Sequence, residues 1–144
     1  MHWLTPVLAW LEASALADWV GGPAYPLISA LHILAISFLI APVILADVRV
    51  LRIRELDDYS RRLSRIAIFG FGAAATTGLL LLSVQATRYA ENPAILAKFA
   101  LLGLAGANAA LFALITGARR VSAALSICVW CSVLFAGRWV AFAQ

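Results

Sequence analysis

Residues 48–65 read VRVLRIRELDDYSRRLSR, with six arginines at Arg49, Arg52, Arg54, Arg61, Arg62 and Arg65. This is the only long polar interruption in an otherwise apolar chain. The runs on either side each reach the roughly 20 residues that a membrane helix needs. Carrying so many charges across a bilayer during insertion is unfavourable, so a short Arg-dense loop stays on the cytoplasmic side. The segment therefore predicts a multi-span membrane protein and sets its orientation.

Composition agrees. The 144 residues are 64% hydrophobic and 12% charged, with a mean hydropathy of +0.95. Soluble domains average about 45–50% apolar and about 25% charged, so both departures point toward lipid. The formal net charge is +4, but six of the eleven basic residues lie in the one loop. That charge is assigned to topology and to anionic headgroups, and no nucleic-acid partner is expected. A single domain, 1–144, is expected at this length. The N-terminus lacks a basic n-region, and Glu12 and Asp18 interrupt its apolar stretch, so no cleavable signal peptide is predicted.

Four stretches are predicted to span: 24–47, 66–86, 94–117 and 121–141. None alternates as an outer-membrane barrel strand would. Backbone groups in lipid must be satisfied within each segment, so the expected fold is all-α, a four-helix transmembrane bundle. Arg119 and Arg120 mark a second cytoplasmic turn, which leaves both termini periplasmic in a bacterial inner (cytoplasmic) membrane. Residues 5–20 are predicted to form an amphipathic interfacial helix. Thr5 caps it, Pro6 lies in its first turn, Gly21-Gly22-Pro23 ends it, and Trp3, Trp10 and Trp19 anchor it. Small residues at Gly70, Gly72 and Gly78, and at Gly103 and Gly106, predict close packing of the second span on the third. A homodimer face is the alternative.

Ionisable groups at membrane depth are expensive and mark candidate sites. At about 1.5 Å per residue, His32 lies ~12 Å and Lys98 ~6 Å below the outer surface. Arg138 returns to the same outer half, and Gln85, Arg88 and Glu91 close the second span there. These residues form the predicted outer polar layer. The simpler alternative is that Lys98, Arg88 and Arg138 snorkel to the interface while Glu91 pairs with one of them. An imidazole at that depth needs a partner or a ligand, so His32 is satisfied in the core, ligates a metal or haem, or bonds a quinone. The cytoplasmic half is expected to hold Asp47, Thr76, Thr77 and Asn108. Asp47 would cap its helix or pair with Arg49 or Arg52, and Asn108 would bond across helices. Cys128 and Cys131 have redox-motif spacing, but within a span they read as two small core residues. No second Cys or His pair completes a zinc site. No nucleotide-binding loop, H-E-x-x-H or nucleophile elbow occurs, so catalysis is not expected.

The elements Leu31-His32, Asp47-Val48-Arg49, Thr77-Gly78, Ala86-Thr87-Arg88-Tyr89, Asn92-Pro93, Lys98 and Gly106-Ala107-Asn108 resemble a family of small, uncharacterised bacterial inner-membrane proteins with four spans. The resemblance covers nearly the whole chain and implies the bundle above, but no activity. Members often carry a second histidine shortly after the asparagine of the third span, where this chain has Ala113. That departure, and the distance of Ala113 from His32, weigh against a bis-histidine haem.

The leading expectation is a small binding or accessory subunit. It would dock on a larger membrane complex or self-associate, and give His32 to a haem b or quinone site with Lys98, Arg138, Gln85 and Arg88. The alternatives are a b-type cytochrome-like electron-transfer protein with His32 as ligand, and a small transporter or channel.

Overall fold

The computed structural model describes residues 5–53 and 57–140, and every regular element in them is helical. In chain order these are α1 (Thr5–Glu12), α2 (Ala15–Gly21), α3 (Tyr25–Ile53), α4 (Asp58–Ser83), α5 (Ala86–Glu91), α6 (Pro93–Leu114) and, after a single 3₁₀ turn, α7 (Arg119–Val140). α3, α4, α6 and α7 are long and apolar enough to cross a membrane. Their outward surfaces carry large apolar side chains, with Phe69 76% and Phe135 77% exposed. Water would not tolerate such surfaces and lipid does.

The arginine segment is mostly helix rather than loop. α3 has 29 residues, or ~43 Å at about 1.5 Å each, longer than a hydrocarbon core of roughly 30 Å. It runs beyond the predicted end at 47 and carries Arg49 and Arg52 with it. α4 starts well before 66, which places Arg61, Arg62 and Arg65 on its first turns. Asp57 starts α4 by accepting hydrogen bonds from the Ser60 amide (3.0 Å) and hydroxyl (2.7 Å). The same carboxylate accepts from Arg49 Nε at 2.6 Å, tying the two helix ends together. These three donors hold its carboxyl down at about 2.

α3 and α4 form one antiparallel hairpin and α6 and α7 another, joined where α7 packs on α3. The core at that junction combines Leu39 and Ile40 with Ala67, Ala105, Val129, Trp130 and Val133. Among the described residues α4 and α6 do not approach each other, so the lateral order is α4, α3, α7, α6. This corrects the expected packing of the second span on the third. Gly70 instead meets α3, where a Cβ would stand 2.5 Å from the Phe38 carbonyl carbon. Pro42 explains the place: it has no N–H for the Phe38 carbonyl one turn back, and Gly70 fits against that bare stretch. Gly72, Gly103 and Gly106 face open space.

Three local expectations also change. The N-terminal segment is two helices, not one, because Ser14 breaks the run, bonds the Leu11 carbonyl (2.6 Å) and caps α2 through the Ala17 amide (3.2 Å). Trp3 lies outside the described residues, as does the Thr5 side chain. Asp47 pairs with neither Arg49 nor Arg52 among the described residues. It is 7% exposed, faces Ser126 of α7, and its Oδ2 has no hydrogen-bond partner among the described residues. Cys128 is exposed and only Cys131 is half-buried, because Val129, Trp130 and Val133 take the inward face. Asn108 does bond across helices: its amide donates to the Ser122 carbonyl (2.9 Å), and the Ser122 hydroxyl donates to its Oδ1 (3.0 Å).

Candidate functional site

His32 is half-buried on the second turn of α3 and is oriented by α4. Its Nδ1 lies 2.8 Å from the Thr77 hydroxyl oxygen. That hydroxyl is 2.7 Å from the Ala73 carbonyl and 3.3 Å from that of Ala74. A helical threonine gives its single proton to the carbonyl one turn back, so Thr77 accepts and Nδ1–H donates. In the neutral ring Nε2 is then the unprotonated nitrogen, and no hydrogen bond to it forms among the described residues.

Glycine makes room for this ring. A Cβ on Gly78 would stand 3.0 Å from His32 Cε1. On the other side of the bundle Lys98 of α6 is half-buried, with its ammonium 3.9 Å from where a Gly137 Cβ would be. His32 thus packs against α4 and Lys98 against α7, and α3 and α6 do not approach each other among the described residues. In its neutral form His32 offers a hydrogen-bond acceptor on a helix long and apolar enough to cross a membrane.

The predicted outer layer is not one level. Thr77 and His32, placed in opposite halves by counting residues, are partners at one level. Gln85 lies eight positions beyond Thr77, about 12 Å further along the helix direction, and its buried Oε1 has no hydrogen-bond partner among the described residues. Arg88 is exposed on α5, and Arg138 is exposed near the end of α7. The side chain of Glu91 lies outside the described residues. Ala113, fifteen positions past Lys98, is ~22 Å away along α6.

Thr77, Gly78 and Gly137 were not singled out as site residues from sequence. The register held a signal: His32 lies 21 residues before the end of α3 and Thr77 lies 19 after the start of α4, so folding the two spans back on each other pairs them. Glu12 was also missed. It accepts from the Thr87 amide (3.0 Å) and hydroxyl, fastening α1 to the start of α5 at the end of the bundle where α3 begins. No protein-family model, curated protein or solved structure matches this chain.

Proposed function

We propose that this is a small integral-membrane binding subunit whose ligand site is centred on His32. The observation that carries this reading is the His32–Thr77 hydrogen bond, which holds the ring still and leaves Nε2 open. A histidine kept only for packing would have both nitrogens satisfied, since an unmet polar group in lipid is costly. The arginine distribution supports both termini being periplasmic, and with them a site in the outer leaflet of a bacterial inner membrane. The exposed flanks of α4 and α6 suit docking on a larger membrane assembly or a second copy. Purification from native membranes tests this reading through what accompanies the chain. A lipid-soluble ligand present with the parent protein and absent with His32→Gln supports it; identical lipid extracts from both overturn it.

One observation favours a second reading, a b-type cytochrome-like protein. Metal-bound histidines donate their other ring N–H to a fixed acceptor, as Nδ1 does here. A Soret band lost in His32→Gln would establish that reading in place of the first.

A further inference from the structure

The arginines where α3 turns into α4 are of two kinds. Arg49 is used within the fold: its Nε donates to Asp57 at 2.6 Å, and its guanidinium lies 5.2 Å from the centre of the Tyr59 ring. Arg61, Arg62 and Arg65 are exposed, and none is ion-paired among the described residues. They are nonetheless held in place. Asp57 caps the helix that carries them, and Ser60 and Leu63 are buried, which turns the three guanidiniums outward. With Asp58 they line an open cleft of about 300 Å³. Arginine stays charged at any ordinary pH, so three cations beside one carboxylate leave the cleft with two positive charges.

The same face of α4 turns apolar immediately beyond. At the three- and four-residue spacing of a helix, Arg61 and Arg65 continue into Ile68, and Arg62 continues into Ile66 and Phe69. Ile66 is 43%, Ile68 71% and Phe69 76% exposed. A ligand here meets cations at one end and an apolar strip at the other, which is the build of a phospholipid. Charge chooses among phospholipids. A phosphatidylethanolamine headgroup is neutral overall, phosphatidylglycerol brings one negative charge, and two phosphates bridged by glycerol bring two. The bridging glycerol also carries a hydroxyl, a donor that a carboxylate such as Asp58 accepts.

We infer that the cleft of Asp58, Arg61, Arg62 and Arg65 binds the headgroup of a diphosphatidylglycerol lipid. Its two phosphates accept from the arginines, its bridging hydroxyl donates to Asp58, and its acyl chains lie along Ile66, Ile68 and Phe69. Guanidinium suits this role because its planar fork of donors matches phosphate oxygens in pairs. The site lies at the other end of α4 from Thr77 and does not depend on His32.

The test offers the full chain in detergent diphosphatidylglycerol, phosphatidylglycerol at equal total phosphate, or phosphatidylethanolamine, and reads the share carrying a single lipid by native mass spectrometry. Diphosphatidylglycerol is expected to bind tightest. Arg61→Gln combined with Arg65→Gln should weaken it roughly thirtyfold, as the loss of two arginines at a lipid surface would. Arg52→Gln combined with Arg120→Gln removes the same charge from exposed arginines outside the cleft. That pair should weaken binding by about threefold or less, because charges that do not touch the phosphates are screened by salt. Phosphatidylglycerol or phosphatidylethanolamine bound as tightly as diphosphatidylglycerol would overturn the proposal. Equal losses in the two double variants would also overturn it, since a diffuse basic surface and not this cleft would then hold the lipid.

Discussion

At Glu12 the two hydrogen bonds from Thr87 hold the carboxyl below its ordinary value of 4.5. A group depressed in the folded state stabilises fully above its unfolded pKa, and that stabilisation is lost as pH falls through the folded pKa. The fastening of α1 to α5 should therefore be intact at neutral pH and loosen in acid. Amide protection at α1 and α5, relative to the intrinsic exchange rate at each pH, should fall as the pH drops below the ordinary carboxyl value of 4.5, and Glu12→Gln should flatten that fall. Protection that stays level in the parent protein would mean the Glu12–Thr87 contact does not hold this lid. Asp57 obeys the same sign at lower pH, since its carboxyl is held at about 2. At Asn108, truncation to Ala removes a paired donor and acceptor between α6 and α7. The expected cost is about 1 kcal/mol, typical of interhelical hydrogen bonds in membranes, measured by unfolding in mixed micelles.

Among the helices, the glycines separate into two kinds with opposite predicted responses. Gly70→Ala drives a methyl into the Phe38 backbone and should cost about 1–3 kcal/mol, as overpacking does. Gly72→Ala meets nothing and should be neutral or stabilise by up to about 1 kcal/mol through better helix propensity. If the two variants melt alike, α4 does not pack on α3 in the register described. These partners were hard to read from sequence for a physical reason. A soluble helix announces its inner face by amphipathicity, but α3 and α6 are apolar on every side, so composition marks the span and not the face. The count of spans, the arginine turn and Asn108 were legible because each depends on local chemistry. The separation of α4 from α6, the Thr77 partner of His32 and the outward Cys128 were not, because each depends on which faces meet.

The whole molecule is two hairpins joined along α3 and α7, with a short helical lid at the end where the chain enters. Its orientation is tested by reporter fusions at the C-terminus. Alkaline phosphatase should be active there and a cytoplasm-only reporter dark, and the opposite pattern would invert the proposed orientation. The central claim is narrower and rests on one proton. The sequence contains only His2 and His32, so a His2→Gln variant leaves a single imidazole for ¹⁵N spectroscopy of histidine-labelled protein in lipid. Near neutral pH and without ligand, the account predicts that Nδ1 carries the proton and that Nε2 is bare. A spectrum showing Nε2 protonated and Nδ1 bare would contradict it, because Thr77 would then be the donor and His32 would present no open acceptor.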